Sequence, residues 1–143
     1  MKEKTVKICS ACLLGVNCRF DGATKVNKKV LALAKKEILI PVCPEQLAGL
    51  STPRERAEKV KNKVLTESGE DVSIKFKLGA QEVLKIAKTL KVKEAILKQN
   101  SPSCGFGSVF DGSFSGKKIK GNGVTADLLS KNKIKVITEQ DLK

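Results

Sequence analysis

The sequence predicts an α/β fold: a small, doubly wound, mainly parallel sheet with helices on both faces, in a single domain spanning residues 1–143. Three observations carry this expectation. Strand-like and helix-like segments alternate along the chain, which favours a parallel sheet covered by helices. A length of 143 residues suits one domain with a sizeable core. Pro41 interrupts the second strand-like run, and a proline lacks the ladder donor that an inner strand needs.

The elements follow in order. Residues 5–10 (Thr-Val-Lys-Ile-Cys-Ser) read as a strand. Residues 27–37 read as a helix, with Val30, Leu33, Ala34 and Glu37 on one face and lysines around it. Residues 38–43 (Ile-Leu-Ile-Pro-Val-Cys) form an apolar run of strand length. Between Val64 and Ile74 the pattern is irregular, and Ser68-Gly69-Glu70-Asp71 marks a hairpin turn or a bent excursion. Residues 79–91 carry a helical stripe of Ala80, Val83, Leu84, Ala87 and Leu90. A third strand is expected over 94–99, a last helix over 123–132 with Val124, Leu128 and Leu129 inward, and a fourth strand over 134–138. With right-handed crossovers and Pro41 at an edge, the strand order becomes second-first-third-fourth. The topological switch then falls between the first and third strands, and ligands in such sheets bind outside the carboxyl ends there.

Composition narrows the chemistry. The chain contains no His, which excludes a Ser-His-Asp or Cys-His pair and any zinc site that uses imidazole. A base must be a carboxylate, a Lys, a Cys or a water. The net charge is +13, but only Arg19, Arg54 and Arg56 among the 28 basic residues are arginines, and Trp and Tyr are absent. Nucleic-acid readers rely on Arg forks and aromatic platforms, so the charge reads first as a solvated lysine surface. It would also concentrate an anionic substrate or RNA. No apolar run approaches the ~18 residues of a membrane span. Met1 to Thr5 lead straight into the first strand, which predicts no signal peptide. The expectation is a cytoplasmic protein with reduced thiols.

The five cysteines fall informatively on this scheme. Cys12 follows the first strand, Cys43 closes the second and Cys104 lies just beyond the third, so three separate segments bring a thiol to one sheet edge. Cys9, inside the first strand, and Cys18, in the loop after it, read as structural. Free Cys is often simply a small buried hydrophobe, and Cys9-Ser-Ala-Cys12 also fits a thiol-redox or zinc pair. Three thiolates without His suit an iron–sulfur cluster better than a closed zinc site, which takes four ligands. A [4Fe-4S] cluster on three Cys leaves one iron open as a Lewis acid.

Polar residues surround these positions. Glu45 stands two residues from Cys43 and is a candidate general base. The turn-rich Asn100 to Gly105 run offers hydroxyls and amides to sulfide or substrate. Thr52-Pro53-Arg54 is a candidate anion fork. The long connection from Asn100 to Asn122 holds Phe106, Phe110 and Phe114, readable as an apolar lid over a planar ligand or as a local mini-core. Gly121-Asn122-Gly123, before the last helix, offers amides to an anion or simply opens the helix.

Five blocks resemble the thiouracil desulfidase family, formerly a domain-of-unknown-function family: Ser10-Ala-Cys-Leu-Leu-Gly15, Cys18-Arg-Phe-Asp-Gly22, Cys43-Pro-Glu45 with Leu50-Ser-Thr-Pro-Arg54, Ser101-Pro-Ser-Cys-Gly105 and Gly123-Val-Thr-Ala126. The resemblance spans nearly the whole chain in order; Phe20 stands where relatives commonly carry Tyr. It implies a Rossmann-like domain holding a [4Fe-4S] cluster on Cys12, Cys43 and Cys104. It implies Glu45 as the acid/base residue and Ser101 as a catalytic contact to substrate or sulfide, with Ser103 as a further substrate contact; Arg54, read above as an anion fork, is another candidate substrate contact. The implied reaction is non-redox removal of sulfur from a small thiolated pyrimidine, base or nucleoside; thiolated RNA is a larger substrate of the same kind. Two other classes stay open on the residues alone: a zinc-binding or thiol-redox protein built on Cys9 and Cys12, and an RNA-binding module without desulfidase activity.

Overall fold

The computed structural model describes residues 5–143. Four parallel strands form the central sheet: β1 (Val6–Ser10), β2 (Ile38–Val42), β5 (Glu94–Leu97) and β8 (Lys135–Thr138), in the order β2-β1-β5-β8. Two small antiparallel hairpins lie outside it, β3 (Ala57–Val60) with β4 (Lys63–Thr66), and β6 (Val109–Phe110) with β7 (Lys118–Ile119). The helices are α1 (Lys28–Ala34), α2 (Pro44–Leu47), α3 (Ser73–Thr89) and α4 (Val124–Lys131), with 3-10 turns at Ala11–Leu14 and Glu139–Asp141. Among the described residues, no helix is long and apolar enough to cross a membrane.

The order is the expected one. Pro41 lies on edge strand β2, opposite Cys9 of β1, where its missing N–H faces no neighbour. Successive residues of β1 serve opposite faces. Ile8 packs with Val83 and Ala87 of α3, with Ala126 and Leu129 of α4, and with Val42, Ala95, Leu97 and Val136 of the sheet. Cys9 packs on the other side with Leu13, Val30 of α1 and Ile96. Both sheet faces are therefore covered, which is why the strands are almost uniformly apolar. Ile8, Val83, Leu97 and Leu129 are fully buried, each stabilising the fold by about 1.5–3 kcal/mol.

The differences from the expected boundaries have local causes. Helix α1 begins on schedule because the Asn27 side chain accepts from Lys29 and Val30 N–H, but it stops at Ala34, three residues short. Helix α3 starts six residues early, at Ser73. Its first turns point Ile74 and Leu78 into solvent, so no apolar stripe announces them. Its start is fastened by Asp71 Oδ1, which accepts from Ser73 N–H at 2.9 Å, and by Ser73 Oγ, which accepts from Val64 N–H at 2.8 Å. Leu90, expected in the buried stripe, is 54% exposed at the helix end.

The irregular stretch after the Arg54 segment is a hairpin. Thr66 N–H donates to Glu70 and Val72 N–H to Val64, so Ser68 to Asp71 do form a turn, while the paired strand before it, β3, went unread. Together they bury a third small core of Ala57, Val64, Val72 and Phe76. The long connection is likewise organised. Buried Glu58 accepts from Gly112 N–H at 3.0 Å and from Phe114 N–H at 3.1 Å, pinning the tip of the β6–β7 hairpin to β3.

Candidate active site

A cleft of about 330 Å³ opens at the carboxyl ends of the strands, at the switch between β1 and β5. Its size lies in the range of small-molecule sites. Cys12, Cys18, Cys43 and Cys104 all line it, with Glu45 and the Ser101–Ser103 turn. The fold delivers each from a different element. Cys12 sits in the 3-10 turn that ends β1, Cys43 is the cap between β2 and α2, and Cys104 follows β5.

The Cys104 turn is held unusually firmly. Ser101 Oγ accepts from the N–H groups of Ser103 and Cys104, each at 3.1 Å. The first amides of α4 close over the same turn: Val124 N–H donates to Pro102, and Thr125 and Ala126 N–H donate to Ser103. The contact demands glycine at its closest points. A Cβ on Gly123 would come within 2.5 Å of the Ser103 carbonyl carbon, and one on Gly105 within 2.7 Å of the Ser108 oxygen. The Gly121 amide is not offered to an anion but donates to Gly107 O at 3.4 Å. Gly123 N–H donates to Gly105 O at 2.6 Å, and helix entry is its role.

Among the described residues, Glu45 is the only acidic side chain lining the cleft, beside the basic Arg19, Lys25, Arg54, Arg56 and Lys98. Its two oxygens are differently engaged. Oε1 accepts from Arg54 Nε at 2.9 Å, and Oε2 accepts from Ser103 Oγ at 3.1 Å. Ser103 Oγ lies 2.9 Å from Ser101 Oγ and 3.6 Å from Cys104 Sγ. With Ser103 donating to Glu45, Ser101 donates to Ser103, so a hydroxyl chain runs from the cleft to the carboxylate.

The thiols are tuned by burial and by one another. Burial pushes the Cys104 thiol up to about 11, with the Ser10 and Ser103 hydroxyls beside it pulling the other way. Cys43 is raised first by its hydrogen bond with Cys18 and then by burial. Cys18 is raised overall, the Cys12 thiol pushing it up and the Cys43 thiol pulling it down, and Cys43 Sγ donates to the Cys18 carbonyl at 3.7 Å. All five cysteines are free.

Set against expectation, the structure brings Cys12, Cys43, Cys104, Glu45, Ser101, Ser103 and Arg54 to one cleft. Three readings change. Cys18, read as structural, packs in the core and is also a fourth thiol of the cleft. Cys9 does not share the cleft with Cys12; it is fully buried under β1, its thiol donating to the Ser10 carbonyl at 3.5 Å, which leaves the C-x-x-C pair without a common site. Arg54 is no open anion fork: its guanidinium donates to Glu45, Ser51, Thr52 and Cys18. The three phenylalanines part company too. Phe110 lines the cleft, Phe106 packs against the main core, and Phe114 lies under Arg56 at 5.5 Å. Cys18, Arg19 and Lys25 reach the cleft because the loop after Cys12 folds back, with Thr24 Oγ1 and Lys25 N–H both donating to the Cys12 carbonyl. No residue pattern announced that fold-back.

The model of the 2-thiouracil desulfurase family matches residues 8–141. The chain belongs to the 2-thiouracil desulfurase family. A solved structure, the [4Fe-4S]-dependent thiouracil desulfidase TudS, is 41% identical and superposes with a TM-score of 0.90, over 99% of this chain and 93% of that one. YbbK of Bacillus subtilis (strain 168), a protein described as uncharacterized, is 42% identical over 145 residues, covering 94% of this chain and 96% of its own. The family-model match takes in every cleft residue named above.

Proposed function

We propose that this protein is a [4Fe-4S]-dependent desulfidase that removes sulfur from a small thiolated pyrimidine by a non-redox route. The observation that carries the reading is the cleft itself: thiols from three strand ends, one carboxylate and a hydroxyl chain at the switch point of a family fold. The donor set fits the group. It is all thiol, with no imidazole in the chain, and soft thiolates select iron–sulfur clusters among few alternatives. Among the described residues, no three Cys, Asp or Glu side chains converge on a single-ion site. Thiols spaced around a cavity suit a polynuclear group better than one zinc.

Cys12, Cys43 and Cys104 would hold the cluster, and raised thiols such as Cys43 and Cys104 release their protons on coordination. The cluster supplies a Lewis-acidic iron with an open position for the thione sulfur. The rest falls to the chain. Glu45 Oε2 accepts a proton from a water, which attacks the thione carbon. The Ser101–Ser103 chain orients that carboxylate and relays the proton towards the departing sulfur. The sum is thiocarbonyl plus water giving carbonyl plus hydrogen sulfide, with no electrons exchanged. Phe110 offers the substrate ring an apolar wall, and the positive rim of Arg19, Lys25 and Arg56 attracts anionic forms of such substrates. Free thiols of this kind persist in a reducing cytosol.

The test is anaerobic reconstitution followed by incubation with 2-thiouracil. The reading expects a broad visible band and conversion to uracil with release of sulfide. A colourless protein, or a loaded one that leaves thiouracil unchanged, defeats it.

A further inference from the structure

We propose that Arg54 is a positioning residue for the desulfuration, holding Glu45 so that a single carboxylate oxygen serves the cleft. The inference rests on Glu45 acting as the base. The Arg54 side chain is 8% exposed and Glu45 16%, so this is a sheltered pair rather than a surface one. Four hydrogen bonds leave the guanidinium: Nε to Glu45 Oε1 at 2.9 Å, Nη1 to Ser51 O at 3.1 Å and Thr52 Oγ1 at 3.0 Å, and Nη2 to Cys18 O at 2.9 Å. With its donors so committed, Arg54 has no free fork for a substrate anion.

The same bonds fasten two loops to the base. Thr52 Oγ1 also accepts from Gln46 Nε2 at 2.8 Å, so adjacent residues of α2 are tied to the 51–54 segment. Arg54 N–H donates to Phe20 O at 2.8 Å, so Arg54 grips the Cys18–Phe20 loop through both backbone and side chain. Glu45 is then held from two sides. Arg54 takes Oε1, Ser103 takes Oε2, and the two donors define the carboxylate plane. Only Oε2 remains on the hydroxyl chain. Lysine cannot replace this arrangement, because a point charge on a flexible stem cannot meet Glu45, Thr52 and Cys18 at once.

Arg54→Ala and Arg54→Lys, compared with the wild-type protein after anaerobic reconstitution, test the proposal. The expected result is a kcat for thiouracil lower by ~10–100-fold in both, the range for losing a partner that orients a reacting group. KM stays within about twofold, and iron content and visible spectrum match the wild type. Added guanidinium restores part of the Arg54→Ala rate. Wild-type kcat in both variants overturns the proposal. So does a raised KM with unchanged kcat, which would make Arg54 a substrate contact, and so does iron loss in step with activity. Arg54→Lys keeps the charge and serves should Arg54→Ala fail to fold. A crystal structure of a variant reads the inference without turnover: Glu45 should leave Ser103, and an unmoved carboxylate overturns the proposal. Failure of the wild-type protein to convert thiouracil would instead strike the proposed function.

Discussion

Glu45 concentrates the residue-scale consequences of the site. Among the described residues it is the only acidic side chain in a cleft with five basic ones, and both its oxygens have fixed partners. Glu45→Gln keeps the shape and removes the proposed base. The expected outcome is a kcat lower by ~10²–10⁴ with unchanged iron content, checked by steady-state assay beside iron analysis. Cys104→Ala should remove cluster and activity together, read by visible absorption and sulfide release. These positions were legible because their logic is sequential: a thiol at each strand end and an acid beside one of them. Arg54 was legible as a basic residue near the site, but its role was not. The four acceptors around its guanidinium come from Cys18, Glu45, Ser51 and Thr52, and only the folded chain assembles them.

At the scale of elements, close backbone approaches hold the cleft walls. A Cβ on Gly79 of α3 would lie 2.0 Å from the Pro44 oxygen of α2. That carbonyl is backbone and cannot step aside, so Gly79→Ala must push α3 from the element that carries Glu45. Overpacking of this kind costs about 1–3 kcal/mol, and Gly123→Ala should act similarly through the Cys104 turn. Thermal denaturation of both variants checks the expectation, with lowered midpoints predicted. The sheet was legible because its strands are short, largely apolar runs separated by helical patterns. The β3–β4 hairpin was not, because Ala57 to Val60 carry the charged pair Glu58 and Lys59 and look like loop. Glu58 is in fact buried, its charge satisfied by two backbone N–H groups from the far hairpin.

The whole molecule joins a thiol-rich interior to a strongly positive surface. Cys9, outside the cleft, is raised to about 12 by burial, with smaller contributions from Cys104 and Glu139. A thiol raised in the folded chain favours folding below its unfolded value and loses that contribution as pH climbs to the folded one. Stability of the cluster-free protein should therefore fall from about pH 9 towards pH 12. Cys9→Ala should flatten that fall relative to the wild type in denaturant titrations at each pH. The net charge of +13 adds self-repulsion but names no ligand, and its bearing on the site is local, through Arg19, Lys25 and Arg56 at the rim.

The central claim is that this cleft holds an iron–sulfur cluster for hydrolytic desulfuration. Product analysis after a single anaerobic incubation tests it most directly, using reconstituted protein and 2-thiouracil with no added reductant or oxidant. About four irons per chain are expected, with uracil and sulfide appearing in equal amounts over many turnovers. Iron-loaded protein that releases no uracil, or that needs an electron donor to do so, would contradict it.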